Sequence, residues 1–230
     1  MIVPDLPGIF VICNYTENKY FFSFSKQSMY ATCSKHFYKI RRGNHTNKEL
    51  NKLHKALILG HQIEYHQVIS SKYINEELWD SKYTNIVNKL YQLIHALSTF
   101  NSMYGYNNSD LQTREVSYTD YGIYIIIVRN KITDHRKFYI GKAELPNGIK
   151  VRLQYHKYEL EADRHTNKEL QNDFNKKENE TIFKPLITFF PNEITSVELA
   201  TLEVHMMAIL RAIYPGRGYN KNAKGIILHL

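Results

Sequence analysis

Six residues, HTNKEL, stand twice in this chain, at positions 45–50 and again at 165–170. Part of the match has a local explanation. A Thr followed three positions later by Glu has the form of a capping box, in which Thr46 or Thr166 would cap a helix and Glu49 or Glu169 would reach back to it. Capping accounts for this one stretch only. Gly8-Ile9-Phe10 precedes the first copy as Gly122-Ile123-Tyr124 precedes the second, while Gly105-Tyr106-Asn107 and Gly218-Tyr219-Asn220 follow them. The separations are 114, 120 and 113 residues, so the landmarks recur in order at nearly constant offset. We read two copies of one domain: a first unit over residues 1–107, a polar linker over 108–120 and a second unit over 121–230. Each copy is then near the commonest domain size.

The second copy is the easier to parse. Residues 121–128, YGIYIIIV, form a β-branched and aromatic run; a polar stretch follows, and Phe138-Tyr139-Ile140-Gly141 resumes strand character, which predicts a hairpin. Turn residues in LPNGIK precede a helix over 151–160, where Arg152 and His156 sit one turn apart on one face. Thr166 is expected to open a second helix reaching about residue 177. Residues 183–190 read as a third strand, with Pro185 placing its first part at an edge or bend. Thr195 and Glu198 make a further capping box for a helix running to about residue 213, before Pro215-Gly216. The order β-β-α-α-β-α gives an α+β class: two tandem units, each a small three-stranded antiparallel sheet flanked by helices.

The net charge of +8 is shared equally, +4 in residues 1–115 and +4 in 116–230. A balance of this kind suits a polyanionic partner such as nucleic acid. The opening MIVPDLPGIF has no basic region followed by a long apolar run, and no stretch approaches the ~20 apolar residues of a membrane helix. The expectation is therefore a cytoplasmic protein, or a nuclear one in a eukaryotic or viral setting, with no membrane partner. Cys13 and Cys33 lack CxxC spacing, which points to two buried free thiols rather than zinc or a disulfide.

Taken together, Gly122-Ile123-Tyr124, Tyr139-Ile140-Gly141, Arg152, His156 four residues later, His165 thirteen after the arginine, Glu203 and Asn220 make the second unit resemble the GIY-YIG nuclease superfamily over about 100 residues. The resemblance implies a metal-dependent phosphodiesterase. Arg152 would compensate the charge that builds on phosphate oxygens, for which a fixed guanidinium fork is better suited than an ammonium. Glu203 would hold a divalent ion, Mg2+ or in its place Mn2+, because Mg2+ keeps several waters and takes only one or two carboxylates. Tyr124 is the position assigned to the attacking water, Tyr139 contributes a hydrogen bond from the neighbouring strand, and His156 shares the role of base with Tyr124 or takes it, the two staying open. His165, Asn220 and Lys142 would support the site and the substrate phosphate. Each residue also has an ordinary reading: strand tyrosines pack in cores, helical Arg and His line solvated faces, and Asn220 after a Pro-Gly turn stabilises that turn. Glu198 competes with Glu203, but its place in the capping box already occupies it.

The first copy keeps the landmarks and lacks the reactive groups. Phe10 replaces the first tyrosine, Tyr20-Phe21-Phe22 replaces Tyr-Ile-Gly, Thr32 falls where arginine is needed, His36 keeps the histidine, and Leu90 with Tyr91 beside it takes the place of the glutamate. Residues 1–107 thus read as a catalytically silent unit. Lys35, Lys39, Arg41 and Arg42 on and after its first helix would offer phosphate contacts to DNA. The leading function is a DNA endonuclease of restriction or phage and mobile-element type, dimeric if one site per chain is to cut both strands. A structure-selective repair or junction nuclease, a non-cleaving nucleic-acid-binding or inhibitory protein, and an RNA substrate all stay open.

Overall fold

The computed structural model describes residues 5–70, 83–99 and 101–221. It is α+β and divides into two compact units, Met1–Ser117 and Tyr118–Leu230. Much of the linker expected over 108–120 therefore belongs to the first unit. Its short 3-10 turn, Ser109–Thr113, presents the Leu111 carbonyl to His95, and the Ser117 carbonyl accepts from Asn88 and Gln92.

Unit 1 runs β1 (Gly8–Asn14), β2 (Lys19–Ser25), α1 (Met29–Arg41), α2 (Lys48–Ile58), β3 (Ile63–Ser70) and α3 (Tyr83–Leu97). Unit 2 repeats the order with β4 (Tyr121–Asn130), β5 (Arg136–Ala143), α4 (Gly148–Glu161), α5 (Lys168–Phe174), β6 (Asn179–Phe189) and α6 (Ser196–Ile209). Each sheet is antiparallel, with strand orders β2-β1-β3 and β5-β4-β6. The first strand of each unit is central and covered on both faces. That is why GIFVICN is buried throughout and YGIYIIIV reads as one continuous apolar run, whereas the edge strand β5 alternates buried and half-buried residues. Among the described residues no helix is long and apolar enough to cross a membrane, and Cys13 and Cys33 are buried and free.

The two units match to the level of irregularities. Pairing of the central strand slips between Ile9 and Phe10 against β3, and between Ile123 and Tyr124 against β6. Pro185 lies opposite Tyr124 at this slip, where a missing N–H is tolerated, so β6 begins at Asn179 and runs through the proline instead of starting near it. Gly8 and Gly122 sit where a Cβ would overlap the carbonyl of Ile69 or Ile187 across the bulge. The last helices end earlier than Pro215 suggested. Ser98 and Arg211 take left-handed backbone, and the next amides, Thr99 and Ala212, bond back to Ile94 and Met207 in the same C-terminal motif.

Two further expectations are corrected. The caps of α2 and α5 are Asn47 and Asn167, not Thr46 and Thr166: Asn47 Oδ1 accepts from Glu49 and Leu50, and Asn167 Oδ1 from Leu170. Strand register also places Ser23 opposite Phe10 as Gly141 lies opposite Tyr124, so Phe21-Phe22-Ser23, not Tyr20-Phe21-Phe22, stands where unit 2 has Tyr139-Ile140-Gly141.

The recurring Gly-Tyr-Asn is a clamp. Gly105 and Gly218 pass so close to the ends of α3 and α6 that a Cβ would enter their backbone, and each makes an isolated bridge to the edge strand, at Tyr20 and Phe138. The asparagine that follows grips that strand with both ends of its amide. Asn107 bonds the N–H and C=O of Phe22 at 3.1 and 2.9 Å, and Asn220 those of Ile140 at 2.9 and 2.8 Å. Asn220→Ala orphans both backbone groups, and we expect unfolding free energy in urea to fall by about 2–4 kcal/mol. A loss below about 0.5 kcal/mol, the scale of an ordinary surface change, would contradict the clamp.

Candidate active site

Tyr124 lies on the central strand with its side chain toward α4, in a small cluster with Ala143 and Ile149 flanked by Tyr139 and Leu153. Its ring is 6.5 Å from that of Tyr139 and 5.5 Å from that of His156. Gly141, directly opposite, makes room: a Cβ there would overlap the Tyr124 hydroxyl and ring. One turn before His156 on α4 comes Arg152, exposed, and close enough for its charge to act on Tyr124, Tyr139, His156 and Glu203. Glu203 projects from α6 to β5, where its Oε1 accepts the Lys142 amide at 3.0 Å. Tyr124, Tyr139, Lys142, Arg152, His156 and Glu203 therefore meet at one place on unit 2.

A chain of hydrogen bonds stands behind Tyr124. The Asn167 amide donates to His165 Nδ1 at 3.0 Å, His165 Nε2 meets His156 Nδ1 at 2.9 Å, and His156 Nε2 meets the Tyr124 hydroxyl at 2.8 Å. A backbone amide can only donate, so His165 Nδ1 is an acceptor and the neutral ring carries its proton on Nε2. That proton goes to His156 Nδ1, and His156 in turn keeps its own proton on Nε2 and gives it to the Tyr124 oxygen. Burial, with His165 and the Arg152 charge adding, lowers His156 to about 4, and burial lowers His165 as well, so both rings are neutral near pH 7. In this state His156 has no lone pair facing Tyr124. Of the two candidates for the base, His156 is engaged as a donor that orients Tyr124.

Burial drives the Tyr124 hydroxyl well above its ordinary value, Tyr139 adds to this, and Arg152 opposes it. Tyr139 moves the same way through burial and the nearby Glu203 charge. The phenols are thus held as hydroxyls. Glu203 is raised from its ordinary value mainly by burial, against the pull of the Lys142 amide and the Lys142 and Arg152 charges. Lys142 turns its ammonium to Glu144, whose other oxygen accepts from Ser196 at 2.7 Å. Glu144 and Ser196 escape a motif-based reading. Their signal is weak: an acid two places after a lysine at a strand end, and a Ser just inside a cap already explained by Thr195, whose box with Glu198 is present as expected. Asn167 lies inside the repeated hexapeptide, but a Thr-x-x-Glu template diverts attention from it.

Among the described residues no group of three or more His, Cys, Asp or Glu side chains is arranged to hold a metal ion. What the site offers is one half-buried carboxylate with Oε1 used by an amide, which leaves Oε2 for a cation. Both nitrogens of His156 are engaged, so the free donor is a hard oxygen. This fits Mg2+ or Mn2+, which keep most of their waters, and does not fit zinc.

Unit 1 preserves the chain without its end. The Asn47 amide donates to His45 Nδ1 at 2.9 Å and His45 Nε2 meets His36 Nδ1 at 2.8 Å, but the His36 ring then faces the rings of Phe10 and Phe21. The matching histidines, 120 residues apart, put Thr32 in the place of Arg152; the matching helix ends, 113 apart, put Leu90 in the place of Glu203. His156, His165 and Asn220 thus belong to the scaffold of both units, while Tyr124, Tyr139, Lys142, Arg152 and Glu203 are particular to unit 2. Compared with protein-family models, with curated proteins and with solved structures, the chain matches none.

The buried histidines set an acid limit. A histidine whose folded value is depressed stabilises the fold above about pH 6.5 and loses that contribution as pH falls toward the folded value, about 4 for His156 and His36. Between pH 6.5 and 5, above the ordinary carboxylate range, each such group lowers stability by up to about 1.4 kcal/mol per pH unit. Urea unfolding across this interval should show the decline in the whole chain; a flat profile would mean that the imidazoles protonate freely in the folded state.

Proposed function

We propose that unit 2 is the catalytic site of a metal-dependent endonuclease resembling the GIY-YIG nucleases, and that unit 1 is a silent copy of it. The observation that carries this reading is selective convergence: Tyr124, Tyr139, Arg152 and Glu203 meet at one place in unit 2, and the same scaffold in unit 1 holds Phe10, Phe21, Thr32 and Leu90. A structural role for the four residues would give no reason for losing all of them while the clamp, bulge and histidine pair persist.

In this reading a phosphodiester lies between α4 and the middle of α6, at Glu203. Arg152, exposed and electrostatically coupled to the rest, neutralises the nonbridging oxygens as charge builds during in-line attack. Glu203 would hold Mg2+, which when bound supplies Lewis-acid stabilisation of the phosphate. Tyr124, kept as a hydroxyl by burial and fixed by the His156 donor, orients the attacking water through its oxygen. The water oxygen bonds to phosphorus as the bond to the leaving sugar oxygen breaks; the water gives up a proton to solvent, and the departing sugar oxygen takes one from solvent. Lys142 leaves Glu144 to contact the substrate phosphate. DNA is the substrate that the resemblance favours, in restriction-like or phage and mobile-element cleavage, and one site per chain cuts one strand, so a double-strand break requires two chains or two nicks. A cytoplasmic setting accords with this role.

The test is nicking of supercoiled plasmid in Mg2+. Arg152→Ala and Glu203→Gln should each lower the rate by about 100-fold or more, the scale of removing one charged group that stabilises the transition state, while binding persists. Because a carboxyl raised by burial favours the fold when protonated and costs stability as pH rises through its folded value, Glu203→Gln should also raise the melting temperature at pH 7.5 without Mg2+, and Mg2+ should stabilise the parent but not the variant. Unchanged cleavage by both variants would sink the proposal and leave a binding protein on a nuclease-like scaffold.

A further inference from the structure

Laying the two units over each other by their strand pairing and histidine pairs exposes a change of charge. Residues 138–168 of unit 2 carry six Lys or Arg and four acids, Glu144, Glu159, Glu161 and Asp163. The equivalent residues of unit 1, 20–48, carry six Lys or Arg and no acid. Lys26, Lys39 and Arg41 occupy the positions of Glu144, Glu159 and Glu161, and Gly43 that of Asp163, both of the last two in left-handed backbone after a helix. Three of four acids have been reversed and the fourth is gone. Five cations of unit 2, Lys142 and Arg152 among them, stand opposite neutral residues and five others are new, so the cation count holds at six while the loss of every acid raises the net charge of the stretch from +2 to +6.

Three of the new cations, Lys35, Arg41 and Arg42, share one exposed face. α1 buries Met29, Cys33 and Ile40 against its own sheet and exposes Tyr30, Ser34, Lys35, Tyr38, Arg41 and Arg42. At 1.5 Å per residue this face spans about 18 Å, which matches the backbone rise of about five base pairs. The Arg42 guanidinium lies over the Tyr38 ring, 5.3 Å from its centre, and bonds its hydroxyl, so the cation is held in place. Among the described residues no carboxylate pairs with Lys35, Lys39, Arg41 or Arg42. The negative end of the helix macrodipole accounts for Lys39 and Arg41 in the last turn. It does not reach Lys35 or Lys26. A lipid surface is a poor match, because the exposed face has no Leu, Ile, Val or Phe to insert. A row of cations interleaved with exposed tyrosines suits a sugar-phosphate backbone.

We propose that the outer face of α1 binds the phosphodiester backbone of a nucleic acid, so that the silent unit anchors the polymer that unit 2 cuts. The cutting rests on the reading given above; the backbone binding stands on the exposed cations of this face, which no carboxylate among the described residues offsets. The test uses the full chain carrying Glu203→Gln, with fluorescence anisotropy on a DNA duplex and on an RNA duplex of the same sequence from about 50 to about 200 mM salt. Lys35→Glu/Arg41→Glu/Arg42→Glu, and its neutral counterpart with Gln at the same positions in case reversal impairs folding, should lower affinity at least tenfold on the tighter duplex. They should also reduce the log–log salt slope by about three, one for each cation removed from the phosphates. Whichever duplex binds more tightly names the source of the backbone. Affinity and slope unchanged in folded variants, or a loss confined to phosphatidylserine vesicles, would overturn the inference. Should the slope fall while the parent chain never nicks plasmid, the nuclease reading alone fails; should the parent nick and the slope stay, this one alone fails.

Discussion

The His-Thr-Asn turn that precedes the second helix of each unit ties three elements with two side chains, and the setting of the first helix of the unit follows from it. Asn167 caps α5 with its oxygen, gives its Nδ2 to the Tyr219 carbonyl at 2.6 Å, and gives its backbone amide to His165. His165 passes the constraint to His156 on α4, while its own amide is held by Gln171, whose Nε2 bonds the end of α4 at Leu160. The Tyr219 carbonyl is in turn one residue from the Asn220 clamp on β5. A single loop thus fixes the rotation of α4, hence where Arg152 and His156 point, relative to the strands that carry Tyr124 and Tyr139. Unit 1 has the same closure through Asn47, which reaches the Tyr106 carbonyl at 2.9 Å.

That the closure survives in unit 1 changes the weight given to the residues the two units share. His36 and His45 form their pair although Phe10 offers no hydroxyl to receive the final proton. The pair therefore has a structural function that does not need chemistry: a buried imidazole stack joining α1 to the start of α2, satisfied through a backbone amide. In unit 2 the matching pair, its rings tilted instead of stacked, acquires a second consequence, since its last donor meets a phenol. Replacing Tyr by Phe at the bulge leaves the backbone ladder whole, whereas replacing Asn107 or Asn220 would strand two backbone groups. Between the two units the first kind of residue differs and the second is kept.

This asymmetry also explains what could be read from the sequence. The repeat, the β-β-α-α-β-α order and the central strands were legible because burial on both faces leaves a continuous apolar run, as in YIIIV, and because glycines under steric pressure cannot drift. Arg152 and His156 were legible as neighbours from the helical period, and Glu203 was singled out only through the resemblance. The caps were not. Thr-x-x-Glu fits a general template, and only the long-range partner of Asn167, 52 residues away at Tyr219, shows why the asparagine takes the cap. The register of Tyr20, Phe21 and Phe22 failed for a related reason: a run of aromatics carries no alternation by which to phase a strand, and the Gly that phases it in unit 2 is Ser23 here. Glu144 stayed hidden because its importance comes from Lys142 and Ser196 in three dimensions.

The electrostatics of unit 2 are arranged so that no charge at the site is idle. Glu203 sits where burial penalises its carboxylate, and the groups that offset this, the Lys142 amide and the Lys142 and Arg152 charges, are also the ones a phosphate would call upon. Glu144, lowered by its bond to Lys142 and by Ser196, holds the ammonium away from Glu203 and prevents the two from closing into a pair that would neutralise both. In unit 1 this whole set is gone at once: Leu90 needs no counter-charge, so Thr32 can turn its hydroxyl to Ser25, and Phe24 can stand where Lys142 does. Glu203 is the poorly solvated charge of the set, so its carboxylate depends on the cations around it, whereas Arg152, exposed, keeps its solvent with or without Glu203.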